Sequence, residues 1–83
     1  MPIRVRVLYF GQAREAAGKG VEEVSLPSNS SVRTLVSRSV KAYRGLEVMS
    51  GGMRVAVNEV IAEEDDPLAE GDVVAFLPPV DGG

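Results

Sequence analysis

The residues that could do chemistry in this sequence are Gly82 and Gly83, the last two of its 83 residues. Glycine has no Cβ, so its carbonyl group is sterically open and its backbone can enter a narrow active site in another protein. The carboxylate of Gly83 is inert until it is activated, and the activated form is an acyl group that can be handed to a nucleophile. The sequence has no phosphate-binding motif, so an activating enzyme would have to supply ATP. We therefore expect a carrier and co-substrate without a catalytic group of its own.

The glycine pair follows the stretch Pro78-Pro79-Val80-Asp81. Proline fixes φ and resists helix formation, so residues 78–83 should form an extended arm of about 15–20 Å, at roughly 3.3 Å per residue. Such an arm is long enough to reach into a pocket of a partner. We expect a folded domain over residues 1–77 and a flexible C-terminal tail over residues 78–83.

Most other kinds of active site are excluded by composition and spacing. The sequence contains no cysteine and no histidine, so it has no disulfide, no thiolate ligand and no imidazole base. Gly11, Gly18 and Gly20 do not have the spacing of a dinucleotide-binding turn or of a P-loop. The acidic run from Glu63 to Asp66 lacks the spacing and the glycine of a calcium-binding loop. We expect no bound cofactor and no metal site.

Charge is spread unevenly along the chain. Nine basic and twelve acidic residues give a formal net charge of −3, which offers little electrostatic support for binding nucleic acid. All the basic residues lie at or before Arg54, and all charged residues from Val55 onward are acidic. This asymmetry indicates a dipolar surface and a partner of opposite charge, with a set of solvated loops as the alternative. Since no apolar run could cross a bilayer and the N-terminus does not resemble a signal peptide, we expect a cytoplasmic protein without nucleic-acid or membrane partners.

The first part of the chain predicts two strands. Residues 3–10 begin with alternating apolar and basic side chains and then become apolar on both sides, and the stretch VEEVSL forms a second strand that ends before Pro27. Between these strands, residues 12–17 are good helix formers enclosed by glycines, which predicts a single helical turn or a short loop.

One helix is predicted over residues 32–43, where apolar side chains recur at offsets of three, four, eight and eleven. Either Ser30 or Ser31 would cap its start by accepting a hydrogen bond from a free backbone N–H, and Gly45 would end it in a left-handed conformation. The following residues, 46–52, are ambiguous, because their glycine pair fits either a turn between two strands or a loose loop.

The C-terminal part predicts a hairpin and a last strand. Alternation resumes at Met53, and a turn at Asn58 and Glu59 leads into a short second arm of the hairpin. Residues 73–77 are an unbroken apolar run, which predicts a strand covered on both faces.

These elements predict an α+β fold in which one mixed sheet packs one face against a single main helix. The heavily apolar first and last strands would lie side by side at the centre of the sheet. This is the arrangement of the β-grasp, or ubiquitin-like, fold.

The C-terminal third, VAVNEVIAEEDDPLAEGDVVAFLPPVDGG, closely resembles the end of the family of sulfur-carrying small subunits of molybdopterin synthase. The opening VRVLYFGQARE resembles the first strand and following turn of that family. The resemblance covers most of the chain and is weakest over residues 46–52. Its most specific elements are Asn58, the pairs Pro67-Leu68 and Gly71-Asp72, and the stretch Pro78-Pro79-Val80 ahead of Gly82-Gly83.

The resemblance implies that the terminal glycine, here Gly83, is adenylated by an E1-like activating enzyme with ATP and then converted to a thiocarboxylate by a sulfur donor system. Gly83 and the adjacent Gly82 would be the functional residues. The tail would insert into the large catalytic subunit, which would use the sulfur to build the dithiolene of molybdopterin from a cyclic pyranopterin precursor. The residues expected to contact this partner are Phe76, Pro78, Pro79, Val80 and Asp81. Asp81 stands where the family usually has serine or alanine, so its charge calls for a basic residue in the partner.

Three other functions share the fold and the ending. A thiamin-type sulfur carrier and a ubiquitin-like protein modifier would use the same activation step and differ in the group that attacks Gly83 afterwards. The stretch Pro78-Pro79-Val80 favours the molybdopterin branch. The remaining alternative is a non-catalytic β-grasp interaction module, in which Gly82 and Gly83 have no chemical role.

Overall fold

The computed structural model describes residues 1–49 and 51–79. Within them the chain forms five strands and three helices. Their bounds, in chain order, are β1 Ile3–Tyr9, α1 Gly11–Ala17, β2 Val21–Leu26, α2 Val32–Ala42, α3 Gly45–Met49, β3 Arg54–Val57, β4 Val60–Ile61 and β5 Val73–Leu77.

The strands form one mixed sheet in the order β2-β1-β5-β3-β4. At its centre β1 and β5 are parallel, with Arg6 opposite Val73 and Tyr9 opposite Phe76. The pairings of β1 with β2, of β3 with β5 and of β3 with β4 are antiparallel. The predicted mixed sheet with the first and last strands side by side is confirmed, and its topology is that of the β-grasp fold.

The helices of the described chain pack on one face of this sheet. Leu35 of α2 and Leu46 of α3 are fully buried, and they share one core cluster with Val7 of β1 and Val74 of β5. The apolar face predicted for residues 32–43 therefore points to the sheet. The opposite face of the sheet, called the open face from here on, carries no helix of the described chain.

Ser31, and not Ser30, caps α2. The Ser31 side chain accepts a hydrogen bond from the Thr34 N–H at 3.3 Å, and the Thr34 hydroxyl accepts one from the Ser31 N–H at 3.4 Å. These reciprocal bonds form a capping box, which satisfies backbone donors that the first turn of a helix leaves free. Ser30 is buried and donates its hydroxyl hydrogen to the carbonyl oxygen of Pro27 at 2.6 Å.

The segment after α2 is a third helix, which the sequence did not predict. Gly45 is the first residue of α3, so its predicted role as a left-handed end of α2 is wrong, and α2 ends instead at an extended Tyr43. Leu46 anchors α3 in the core, and a Cβ on Gly45 would lie 2.9 Å from the Cβ of Ala16 in α1. Tertiary contacts therefore form a helix where the local pattern of glycines indicates a loop.

The first helix is also longer than predicted. Where the sequence predicted a single turn or a short loop, α1 has seven residues, which is about two turns. Ala13 and Ala17 are buried on the inner side of α1, and Gly18 ends the helix in the left-handed conformation with φ of 76°. Small side chains let α1 pack closely against the rest of the core. This packing stabilises a helix that is too short to be stable on its own.

Burial alternates along β5 although all of its residues are apolar. Val74 and Phe76 have no exposed surface, whereas Val73, Ala75 and Leu77 are half-buried. The prediction of a strand covered on both faces is therefore wrong within this chain, because the helices cover one face only. The apolar side chains of the other face belong to a surface that is described with the functional site.

Asn58 begins the predicted hairpin turn, which is confirmed. Asn58 and Glu59 both have positive φ, 51° and 73°, as a two-residue hairpin turn requires. The Asn58 side chain accepts a hydrogen bond from the Val73 N–H at 3.0 Å and donates one to the Asp72 carboxylate at 3.0 Å. Asn58 thus joins the end of β3 to the start of β5, the strand that leads to the tail.

Replacing Asn58 tests this connection. We expect Asn58→Gly, which keeps the positive φ but loses both side-chain bonds, to lower the free energy of unfolding by about 1–2 kcal/mol. Asn58→Ala should cost roughly 1 kcal/mol more, because alanine is strained at positive φ. Urea denaturation of the two variants measures both effects. Equal stability of Asn58→Gly and the unsubstituted chain would show that the side-chain bonds contribute nothing.

Candidate functional site

The predicted site residues Val80, Asp81, Gly82 and Gly83 lie outside the described residues. The described chain ends at Pro79, two residues after β5. Since β5 pairs with β1 on one side and with β3 on the other, the strand that leads to the tail is held by main-chain hydrogen bonds on both sides. The tail therefore starts from a firmly fixed point of the fold.

Pro78 and Pro79 each lie against a glycine. A Cβ on Gly11 would be 3.3 Å from the Cγ of Pro78, and a Cβ on Gly52 would be 3.1 Å from the Cβ of Pro79. Pro78 is half-buried and Pro79 is exposed. The structure therefore brings the two prolines of the predicted arm together with the first residue of α1 and with the turn that follows α3.

Phe76 is a core residue, so its predicted contact with a partner is corrected. Its side chain has no exposed surface, and its ring packs edge-on against Tyr9 with the centroids 5.5 Å apart. The next residue, Leu77, is half-buried on the open face and pairs with Arg54 of β3. Sequence reasoning missed Leu77, although the strict alternation of side chains along a strand could have placed it on the side opposite Phe76.

The open face carries a row of apolar side chains that crosses the whole sheet. Leu8 of β1 pairs with Val21 of β2 and with Ala75 of β5, and the pairing continues to β3 and β4. Paired residues point to the same side of a sheet. From one edge to the other, the apolar row consists of Val21, Leu8, Ala75, Ala56 and Ile61.

The two ends of the apolar row are well exposed. Val21 is 52% and Ile61 is 55% accessible to solvent, and Phe10, which follows β1 directly, is 46% accessible. Single exposed apolar residues are ordinary, but this row, in which Ala56 is only 7% accessible, continues through the half-buried Leu8 and lies beside the half-buried Leu77. Exposed apolar residues grouped in this way are typical of a surface that a partner protein covers.

Arginines flank the apolar row. Arg54 pairs with Leu77 at the tail end of the sheet, and Arg4 and Arg6 share the side of β1 that carries Leu8. Arg6 forms an exposed ion pair with Glu23 at 3.2 Å. The open face therefore combines apolar side chains with Arg4, Arg54 and the Arg6–Glu23 ion pair at its margin. The arginines suit a partner that has acidic groups around an apolar surface.

The acidic run predicted from the sequence lies elsewhere and is bound to its own chain. Arg33 of α2 contacts Glu64 at 3.3 Å and Asp65 at 2.9 Å. The backbone carbonyls of Glu64 and Asp66 accept hydrogen bonds from the N–H groups of Arg33 and Val32, both at 2.9 Å. These contacts favour the simpler interpretation of the run as a solvated loop, which here covers the start of α2.

Lys19 and Tyr9 have raised pKa values. A hydrogen bond with Tyr43, reinforced by the charge of Glu22, raises the pKa of Lys19, so this amine stays protonated. Burial is the main cause that raises the pKa of Tyr9, whose hydroxyl donates to Glu22 at 2.9 Å. Both shifts disfavour a nucleophilic form of these two side chains.

Over residues 1–49 and 51–79, no three or more acidic side chains form a group that could hold a metal ion. Within the same residues, no helix has the length and apolar character needed to span a bilayer.

Comparison with known proteins identifies the family. The model of the ThiS family matches residues 7–83, which include the glycine pair. The chain belongs to the ThiS family. The match also extends over the prolines of the tail and over every strand that carries the apolar row, except for the first residues of β1.

Two curated ThiS-family relatives have the same name, molybdopterin synthase sulfur carrier subunit. The relative from Mycobacterium tuberculosis is 40% identical to this chain, and the match covers 98% of this chain and 99% of the relative. The relative from Escherichia coli is 36% identical, and the match covers 95% of this chain and 99% of the relative.

Solved structures agree with the ThiS-family fold. A Pyrococcus furiosus protein, provisionally named molybdopterin converting factor subunit 1, has a TM-score of 0.85 at 31% identity, with 94% of this chain and 99% of that chain covered. Small archaeal modifier protein 1 of Haloferax volcanii has a TM-score of 0.85 at 26% identity, with 96% and 99% covered. A chain in the complex of subunits 1 and 2 of molybdopterin-converting factor from Helicobacter pylori has a TM-score of 0.69 at 26% identity, with 98% and 100% covered.

Proposed function

We propose that this chain is the sulfur carrier subunit of a molybdopterin synthase and that it works through the carboxylate of Gly83. The proposal depends chiefly on the similarity, over 98% of this chain, to the Mycobacterium tuberculosis sulfur carrier subunit. The fold supports it, since the tail starts from the central strand of the sheet beside an uncovered apolar row. In this proposal the chain binds no cofactor and contributes no catalytic side chain.

The proposed chemistry begins with two steps at the terminal carboxyl group of Gly83. In an E1-like activating enzyme, a carboxylate oxygen attacks the α-phosphate of ATP and pyrophosphate leaves. A hydrosulfide equivalent from a sulfur donor system then attacks the acyl carbon, AMP leaves, and the terminus becomes a thiocarboxylate. Neither step needs a thiol or an imidazole in the carrier, in agreement with a sequence that has no cysteine and no histidine.

The sulfur is then used in the large catalytic subunit of the synthase. There the sulfur of the thiocarboxylate would bond to a carbon of a cyclic pyranopterin precursor, and water would cleave the acyl–sulfur bond and return Gly83 to the carboxylate. Two charged carriers would supply the two sulfur atoms of one dithiolene. The carrier could then be activated again.

We propose that the large subunit covers the open face. The apolar row lies on the same face as Leu77, which is followed by the first residue of the tail, Pro78. A partner seated on the row would therefore receive the tail without rearrangement of the sheet. Arg4, Arg6 and Arg54 would meet acidic groups at the edge of that partner. The complex of two subunits in Helicobacter pylori, one of which resembles this chain, supports a partner of this kind.

The activating enzyme and the sulfur donor system are further proposed partners. Both act on the same terminal group, and both reactions use soluble substrates, so the proposal places the protein in the cytoplasm. We propose no nucleic-acid or membrane partner.

A protein modifier is the second candidate function. Small archaeal modifier protein 1 has the same fold at 26% identity, and an activated Gly83 could equally be attacked by a lysine amine of another protein. The product would then be an amide bond, with AMP or sulfide as the leaving group. The two functions differ only after activation, so the acceptor decides between them.

Reconstitution with separate acceptors tests the proposed function. The chain, charged by an activating enzyme with ATP and sulfide, is mixed in one tube with a large synthase subunit and pyranopterin precursor, and in another with a cell extract that supplies lysine acceptors. The proposal predicts dithiolene product in the first tube and no covalent conjugates in the second. Conjugates without dithiolene would identify a modifier. A third tube contains a thiamin-type synthase, and sulfur transfer into a thiazole there, without dithiolene in the first tube, would identify the thiamin branch.

A further inference from the structure

We propose that Gly52 is a positioning residue for the tail. Because Gly52 has no side chain, Pro79 can lie against it, and this contact sets the direction in which the tail leaves the fold. This inference rests on the proposed function, because direction matters only if the tail has to enter the active site of another protein. The supporting observations are the way in which the fold holds Gly52 and the closeness of its contact with Pro79.

Gly52 is fixed by α3. Its N–H donates a hydrogen bond to the carbonyl oxygen of Met49, the last residue of α3, at 3.1 Å. The helix itself is anchored by Leu46, which is fully buried, and by the close approach of Gly45 to Ala16. Gly52 is therefore hydrogen-bonded to the end of a helix that is anchored in the core, although it lies in a turn.

The contact with Pro79 is too close for a side chain unless Pro79 shifts by a few tenths of an ångström. A Cβ on Gly52 would lie 3.1 Å from the Cβ and 3.4 Å from the Cγ of Pro79, closer than apolar carbons pack, at about 3.5–4.0 Å. The φ of Gly52 is not positive, so backbone conformation does not call for glycine here. Space for Pro79 is the physical reason that the structure offers for a glycine at this residue.

A displacement of Pro79 would be passed on to the tail. Pro78 lies against Gly11 at the start of α1, and the preceding Leu77 is paired with Arg54 in the sheet, so the chain before Pro79 is held in place. Pro79 is exposed and can move outward. A side chain on Gly52 should therefore push Pro79 away from the turn that follows α3, and so change the point from which the rest of the tail starts, while the fold and the open face stay unchanged.

The test is a graded series at Gly52 with a matched series at Gly51. Gly51 belongs to the same turn, and a Cβ there would meet no atom of the described residues within 4 Å. The variants are Gly52→Ala and Gly52→Val, with Gly51→Ala and Gly51→Val as controls. Each full-length chain is given to the activating enzyme, and pyrophosphate release is measured over a range of carrier concentrations, together with the Tm of each free chain.

We expect Gly52→Val to lower kcat of adenylation by about tenfold, since misplacement of a reacting group by about an ångström can cost that much or more. Gly52→Ala should show a smaller decrease, and the KM for the carrier should change less than about twofold, because the folded surface outside the Gly52–Pro79 contact is unchanged. Both Gly51 variants should match the unsubstituted chain.

Several outcomes would overturn the inference: equal kcat for Gly52→Val and Gly51→Val, a rise in KM with kcat unchanged, or a loss of activity that follows the decrease of Tm in both series. Failure of the proposed function is distinguishable in the unsubstituted chain: it would release no pyrophosphate if Gly83 were not activated, and it would release pyrophosphate without later forming dithiolene if Gly83 served another acceptor.

Discussion

Deletion of Gly83 is expected to abolish sulfur transfer while the fold and the binding of the large subunit stay intact. The shortened chain still ends in a glycine carboxylate, that of Gly82, so the type of reacting group is unchanged. The position of the reacting group changes, because the carboxylate lies one residue, about 3.5 Å, short of the place that Gly83 would reach. A displacement of this size should lower the rate of adenylation by more than about a hundredfold.

Two controls accompany the Gly83 deletion. Gly83→Ala keeps the length of the tail and adds a methyl group, so it should retain part of the adenylation activity. The narrower the active site of the activating enzyme, the larger the loss should be. Affinity for the large subunit, measured by calorimetry, should change little in the deleted chain, since the apolar row is untouched. Full activity of the deleted chain would contradict the requirement that the reacting carboxylate is that of Gly83.

Substitution of Ile61 by aspartate is expected to prevent docking without unfolding the domain. Ile61 is 55% exposed at one end of the apolar row, so the free chain can hydrate a carboxylate at this residue. In the complex the same carboxylate would be buried against an apolar partner surface. An unpaired charge in such a place costs roughly 3 kcal/mol or more, which raises Kd by at least about a hundredfold.

Val60 provides the matched control for Ile61. It is the other residue of β4 and is 68% exposed, but successive side chains of a strand point to opposite faces, so Val60 lies away from the open face. Val60→Asp should leave the affinity for the large subunit within about threefold of the unsubstituted chain, as an exposed charge outside an interface contributes little. Equal weakening by both substitutions, or by neither, would contradict docking through the open face.

The sheet could be predicted from the sequence because its strands have simple local patterns. The alternating residues at the start of β1 and the apolar run of β5 identify two strands that must be largely covered, and covering both is easiest at the centre of one sheet. The turn at Asn58 could also be predicted, because asparagine tolerates positive φ and is common in hairpin turns. Each of these signals is contained in a few consecutive residues.

The third helix could not be predicted in this way. Gly45 and the pair Gly51-Gly52 indicate loops, yet α3 forms because Leu46 enters the core and Gly45 permits contact with Ala16. Helices this short have little stability of their own, so the contacts that hold α3 are those of the finished fold. The role inferred for Gly52 depends on α3 and was therefore not visible in the sequence.

The candidate site was predicted in part. The glycine pair and the two prolines stand out in the sequence by composition, and the structure places Pro78 and Pro79 where the chain leaves the central strand. The partner contact assigned to Phe76 was wrong, because five consecutive apolar residues give no sign of which ones face the helices. Pairing with β1 and β3 decides this, and it puts Leu77 on the open face and Phe76 in the core. The apolar row requires the register of five strands, which sequence patterns do not supply.

The most direct test of the central claim, that the carboxyl group of Gly83 is activated and carries sulfur, is the intact mass of the chain after incubation with ATP, an E1-like activating enzyme and sulfide. The account predicts the mass increase for exchange of one oxygen by sulfur, its location at Gly83 in a C-terminal fragment, and its loss when the large subunit and pyranopterin precursor are added. An unchanged mass, in a tube where an established sulfur carrier is converted, would contradict the account.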